Sequence, residues 1–235
     1  MHEAQKNFKG PKKKFQPRGI SILYEDQDIL VVDKINGLLT VSSDKVKENT
    51  AYFLLTKYVR KGNPKSRNRI FIVHRLDRDT SGVIVFAKSE RAKFFLQKEW
   101  HNFKKKYLAV VHGTLPKPEG IITSYLAENR AHKMYSVDDP KNGKLAQTAY
   151  KTVRESERFS LLEIELLTGR KNQIRVHFAD QGCPVAGDKV YGEKAKGIKR
   201  LTLHAATINI IHPHTKQPLT FTAEVPTYFN SLLNS

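Results

Sequence analysis

The tightest constraint on this chain is the run His74-Arg75-Leu76-Asp77-Arg78-Asp79-Thr80-Ser81-Gly82, which passes without a gap into Val83-Ile84-Val85-Phe86-Ala87-Lys88. The second half holds five consecutive apolar residues, β-branched at Val83, Ile84 and Val85, a pattern that suits a strand covered on both faces. The first half is a loop carrying two aspartates, two arginines and a histidine. Placed just before a rigid buried strand, such a loop can hold charged groups in a cleft. As a mere charge cluster it would be a solvated, salt-bridged turn of little energetic consequence.

The rest of the chain supplies strands in runs with few alternating helices. Strands are predicted over 20–24 and 29–33, separated by the polar turn Glu25-Asp26-Gln27-Asp28, with Gly37 breaking the pattern after them. Thr50 is placed to cap a helix reaching about Arg60, with Tyr52, Leu55, Tyr58 and Val59 on one buried face, and Ser89 to cap another ending near Trp100. In the second helix Phe94 and Phe95 are expected in the core. Tyr107 opens an apolar strand to Gly113, a meander follows over 121–151 with a surface turn at 138–143, and 159–167 alternates as a half-buried strand. Asn172 is placed to cap the last clear helix and Gly182 to end it in the left-handed conformation open to glycine. Arg175 falls in the first turn of that helix, where the dipole is unfavourable to a cation, so a specific carboxylate partner is expected. These runs predict an α+β fold with a mixed, largely antiparallel sheet flanked by helices.

Charge narrows the function. With 41 Lys+Arg against 23 Asp+Glu the net charge is +18, which points to a polyanionic partner. No run of eighteen apolar residues is present and no basic helix carries a clean apolar face, so nucleic acid is expected and a membrane is not. Cys183 is the single cysteine, which excludes an intrachain disulfide and a cysteine-rich metal site. A cytoplasmic monomer with no obligate protein partner is expected. Residues 1–19, with Lys6, Lys9, Lys12, Lys13, Lys14 and Arg18 against Glu3, read as a flexible basic arm, and 20–235 as one catalytic domain. Lys61, Lys65, Arg67 and Arg69, in a loop with Gly62 and Pro64, are expected to touch nucleic-acid phosphates, as are Lys104 and Lys105; a merely solvated loop fits the same residues.

The charged loop, with Thr80-Ser81-Gly82 and the strand after it, resembles the signature of the RluA-like pseudouridine synthases. Further matches follow in order: Asp28-Ile29-Leu30-Val31-Val32-Asp33-Lys34, Lys106-Tyr107-Leu108-Ala109-Val110-Val111, Gly169-Arg170-Lys171-Asn172-Gln173-Ile174-Arg175-Val176-His177, Gly187-Asp188-Lys189-Val190-Tyr191-Gly192 and Arg200-Leu201-Thr202-Leu203-His204-Ala205. They span about 20–226, a whole domain, and leave no room for the S4-type domain that many relatives carry. The resemblance implies a pseudouridine-synthase-like fold with Asp77 as the nucleophile, Arg175 as the cation paired with it, and Tyr107 as the ring that stacks on uracil. It also implies that Arg75 fills the space vacated by the flipped base, that Leu203 packs against the tyrosine, and that Arg170 and Gln173 meet the substrate. No metal or cofactor is needed, since no hydride or phosphoryl group moves. Where many relatives have Arg-x-His-Gln-Ile-Arg, this chain has Asn172 at the histidine position, so a role for a protonated imidazole is lost there.

Two other classes fit parts of the pattern. A glycosidase would pair carboxylates such as Asp77 and Asp79, but alternate residues of an extended segment point apart. A catalytically silent RNA-binding or ribosome-assembly protein would explain the charge equally well. The set Asp77, Tyr107 and Arg175 favours an enzyme acting on ribosomal or transfer RNA, with ribosomal RNA slightly favoured.

Overall fold

The computed structural model describes residues 5, 8–42, 48–192 and 197–234. Lys6 and Glu3 of the basic arm lie outside them. The chain forms two compact units, one from Met1–Lys104 with Ala205–Glu224 and the other from Lys105–His204 with Val225–Ser235. Among the described residues no helix is long and apolar enough to cross a membrane.

In the first unit β1 (Ile20–Glu25), β2 (Ile29–Lys34), β4 (Ser81–Ala87) and β10 (Leu203–Ile211) lie side by side in that order, with the short β3 (Phe71–Ile72) on β4 and β11 (Pro218–Thr222) on β10. β1 with β2, β2 with β4, β3 with β4 and β10 with β11 are all antiparallel. Every residue of β4 is buried, as its apolar run requires. β2 and β4 place Ile29, Val31, Val83, Val85 and Ala87 into one core with Leu96, Phe103, Ile208 and Phe221. Helices α1 (Ala51–Val59) and α2 (Glu90–Glu99) start where expected: Thr50 accepts from the Phe53 N–H and Ser89 from the Ala92 N–H. Leu55 and Val59 are buried on α1, while Tyr52 and Tyr58 are only half-buried.

Phe94 departs from its expected place. It is 64 % exposed, with the Lys93 ammonium 5.3 Å from its ring centre. Helical geometry explains this: Ala92 and Leu96 take the inward face, which leaves Phe94 between them on the outward one. Phe95 is partly buried against the core, with the Lys216 Nζ 3.4 Å from its ring centre. The described part of the basic arm has attachments. Gln16 accepts from the Ile22 N–H of β1 and donates to the Pro11 carbonyl, and the Phe8 ring lies 5.6 Å from that of Tyr24.

The second unit is an antiparallel meander in the order β5 (Lys105–His112), β9 (Phe159–Leu166), β8 (Lys144–Glu155), β6 (Glu119–Glu128), β7 (Met134–Val137), with β7 at its edge. Helix α3 (Gln173–Asp180) packs Ile174 and Phe178 into a core with Ala109, Val111, Leu162, Ile164, Leu201 and Leu203. Helix α4 (Tyr228–Leu233) buries Phe229 and Leu233 against Val110 and Phe159.

Gly82 is where close approach dictates the residue. Its φ is +112°, and a Cβ there would lie 2.2 Å from the Ala205 carbonyl oxygen of β10. Gly82→Ala is expected to lower stability by about 3 kcal/mol or more, since both strain and a backbone clash oppose it. Urea unfolding of the two proteins checks this, and equal midpoints would show that the β4 backbone can move away.

Candidate active site

The Asp77 loop is framed by backbone partners. Leu76 is buried, its carbonyl accepts from the Thr40 hydroxyl at 2.7 Å, and its own N–H donates to that hydroxyl at 3.2 Å. The Gly37 N–H donates to the Arg78 carbonyl at 2.9 Å, and the Arg78 Nε donates back to the Gly37 carbonyl at 3.3 Å. Asn36 donates to the Asp79 carbonyl, and the Thr80 N–H to that of Asp77. At the start of the run His74 accepts from the Val85 N–H at 3.0 Å and stacks on Trp100 at 4.2 Å. The segment over 35–40 therefore grips the loop from Leu76 to Asp79 almost residue by residue. Asp77 is half-buried, and Arg75 is exposed.

Arg175 is buried on α3 and gripped on three sides within its own unit. Its Nε and Nη2 donate to the two oxygens of Asp188 at 2.7 and 2.8 Å, and its Nη1 donates to Asn172 Oδ1 at 3.3 Å. The Tyr191 ring lies beneath the guanidinium, 5.0 Å away. Burial alone would raise the Asp188 pKa, but the Arg175 hydrogen bond and charge, with the N–H groups of Val190 and Tyr191, hold it below the usual carboxylate range. The carboxylate partner expected for a cation in a first helical turn is thus present as Asp188, from the Gly187-Asp188-Lys189-Val190-Tyr191-Gly192 motif. Neither Asp188 nor Tyr191 is among the site residues read from the sequence. The motif itself was the available signal, because an Asp and a Tyr three residues apart in a turn can meet one guanidinium from two sides.

Asn172 takes the N-cap position of α3, its carbonyl accepting from the Val176 N–H, but its side chain makes no cap hydrogen bond. It takes the left-handed conformation, φ 53°, and its side chain donates to the Tyr191 hydroxyl while accepting from Arg175. Gln173 ties down the turn that leads into the helix: its Oε1 accepts from the Arg170 N–H and the Thr168 hydroxyl, and its Nε2 donates to the Gln147 carbonyl and the Thr148 hydroxyl. At 2 % exposed and with both ends of its amide doubly bonded inside the protein, Gln173 braces the turn. Arg170 is exposed, its Nε donating to the Leu145 carbonyl.

Tyr107 is half-buried and packs against the cluster that contains the buried Leu203, Leu201 and Ile174, so these two expected site residues share one apolar neighbourhood. Lys61, Lys65, Arg67, Arg69 and Lys104 are exposed. Of these Arg69 is engaged with Glu90 at 3.3 Å and with the Phe71 ring at 4.8 Å. Lys105 is half-buried, and burial pushes its pKa down against the opposing charge of Glu165. Among the described residues Asp26, Asp28 and His212 bring ligand-type atoms within 4.8 Å of one another. These atoms already close the β1–β2 turn: Asp26 accepts from Tyr24, from His212 and from the N–H groups of Asp28 and Ile29, while His212 Nδ1 accepts from the N–H groups of His214 and Thr215.

Known proteins resemble this chain over most of its length. The family model described as RNA pseudouridylate synthase matches residues 28–180. An uncharacterized RNA pseudouridine synthase of Bacillus subtilis is 36 % identical over 217 residues, covering 91 % of this chain and 71 % of its own length. The ribosomal large subunit pseudouridine synthase C of Buchnera aphidicola is 34 % identical, over 92 % of this chain and 70 % of its own. The structure of human RNA pseudouridylate synthase domain containing 4 superposes with a TM-score of 0.75 at 22 % identity, over 91 % of this chain and 92 % of that one, and shows the fold alone. The chain belongs to the RNA pseudouridylate synthases. Its relatives place it on the RluA-like branch, and it is an enzyme that isomerises uridine to pseudouridine in RNA.

Asp188→Ala would leave the Arg175 charge buried without its carboxylate, and a loss of about 3–5 kcal/mol is expected. Because the folded pKa of Asp188 is depressed, the pair's contribution is complete above the unfolded value of 3.8 and is lost as pH falls through the lower folded value. The gap between wild type and variant in urea should therefore persist from neutral pH down to about 4. A gap that closes at higher pH would show that this pair does not carry it.

Proposed function

We propose that Asp77 is the nucleophile of the isomerisation, that Arg175 is its paired cation, and that Tyr107 stacks on the flipped uracil. The observation that carries this reading is the grip on the Asp77 loop from Leu76 to Asp79, since a carboxylate is useful as a nucleophile only when ionised and held in one direction. The reaction breaks the bond from the sugar carbon to N1, turns the uracil while it is held, joins C5 to the same carbon, and transfers the proton lost at C5 to the medium while N1 gains one. Addition of the carboxylate to the sugar carbon and elimination to a glycal both need Asp77 ionised. A guanidinium has five N–H donors, so service to Asp188 and Asn172 is compatible with a second carboxylate. Arg75, next to the nucleophile and exposed, suits the space vacated in the RNA helix, whose unstacking costs a few kcal/mol.

Ribosomal RNA is the proposed substrate, because relatives matched over nine-tenths of this chain are named as large-subunit synthases C and D. Lys61, Lys65, Arg67, Lys104 and Lys105, with the basic arm, supply sequence-independent phosphate contacts. Asp77→Asn is expected to abolish isomerisation while RNA affinity stays within a few fold, and turnover above about a tenth of wild type would remove Asp77 from this role. Carbodiimide mapping of cellular RNA with and without the protein names the uridine. A site confined to transfer RNA overturns the ribosomal assignment, and no site at all favours a silent RNA-binding protein.

A further inference from the structure

Lys34 closes β2 and has no exposed surface. Its Nζ donates to the carbonyls of Leu38 at 2.8 Å, Ile35 at 3.1 Å and Arg78 at 3.2 Å. Two of these acceptors belong to the segment that grips the catalytic loop, and the third lies within the loop, between Asp77 and Asp79. An ammonium has three donors and no acceptor, so three carbonyls exhaust it. A neutral amine, with two N–H groups and a lone pair, would turn the lone pair on one of those carbonyls. Burying an ammonium is costly, and a sheet needs none to end a strand. The charged groups facing it are Asp79 and Asp77 from the loop and Asp33 from its own strand, all of which favour its charged form. Asp33 is itself pushed up to about 6, by burial first and with Glu224 adding, against the pull of Lys34 and the Gly82 N–H.

We propose that Lys34 is a positioning residue for the isomerisation: its ammonium ties the Arg78 carbonyl to the supporting segment, which fixes the backbone carrying Asp77, and its charge favours the ionised form of that carboxylate. The proposal rests on Asp77 being the nucleophile. Burial holds the Lys34 pKa down at about 8, against the pull of the three aspartates. As pH rises through that value the third hydrogen bond is lost and the rate falls. Stability moves the other way. Between about 8 and the unfolded value of 10.5 the unfolded chain binds a proton that the folded chain does not, so this group's contribution to stability rises with pH. An alkaline fall in rate without a fall in stability separates loss of the tie from unfolding.

Single-turnover rates across pH, on unmodified RNA from cells lacking the protein, test this with wild type, Lys34→Met, Lys34→Arg and Asp77→Asn. Lys34→Met is expected to lose about tenfold or more in rate at neutral pH with RNA affinity within about threefold. Its acid limb should move to higher pH, because Asp77 has lost a cation, and its alkaline limb should vanish. Lys34→Arg stays charged throughout, so it too should lack the alkaline limb, whatever its larger head does to the rate. Titration of uracil itself would appear equally in every protein. A wild-type rate in Lys34→Met, or a lowered rate with both limbs unmoved, overturns the proposal. Should neither variant fold, the wild-type profile decides: no alkaline fall between about pH 7 and 9 overturns it as well. An active Asp77→Asn defeats the underlying assignment of the nucleophile instead, and an inactive one beside an unaltered Lys34→Met defeats only the role of Lys34.

Discussion

A strand with no exposed residue cannot carry the polar groups of a reaction, so β4 pushes all of them to its mouth. Its backbone touches that of β10 at Gly82 with no room for a side chain between them. The start of the strand is thereby fixed from below, and the charged loop hangs from a point that cannot slide. What remains free at such a point is the direction of the loop, and the segment over 35–40 removes that freedom through carbonyls and N–H groups instead of packing. Hydrogen bonds suit this task because they carry direction, which dispersion does not.

Two buried cations are held by opposite strategies. Arg175 meets a carboxylate in a two-pronged pair with a ring beneath it, which fixes a plane. Lys34 meets carbonyls only, which fixes a point while leaving its charge to act on carboxylates around it. Neither arrangement is a strong source of stability once desolvation is counted. Both fix where a functional group sits.

Much of the fold was legible because it is local. The strand from Ser81 to Ala87, the caps at Thr50 and Ser89, the left-handed Gly182 and the alternation before Leu166 each follow from neighbours within a turn or a pleat. The misreadings are where distant residues decide. Asn172 does stand at the N-cap position, yet Tyr191 and Arg175 claim its side chain and no side-chain cap forms. The motif singles out Gln173, while the β8 groups that hold its amide, the Gln147 carbonyl and the Thr148 hydroxyl, lie some 25 residues away. Phe94 shows the reverse failure, in which apolar character outweighed helical phase. Lys34 and Asp188 lay inside quoted motifs without a task, because nothing in one dimension says which carbonyl or guanidinium a side chain will reach. The family, by contrast, was legible from the order of several motifs.

The inward face of α3 is polar as well as apolar. His177, fully buried and held down at about 4 by burial, is neutral and bonds Ser124 through one nitrogen and Thr148 through the other, while Ser124 passes the chain to Ser136 and Asp180 at the surface. Gln173 takes the other side of Thr148, so the helix is tied to the meander at both ends of one continuous run. Greasy contacts tolerate a helix that rolls about its axis by a few tens of degrees; a relay of fixed donors and acceptors does not. The aim of the Arg175 guanidinium is therefore quantised, and sequence drift in this enzyme can reshape the apolar half of α3 far more freely than it can turn the helix.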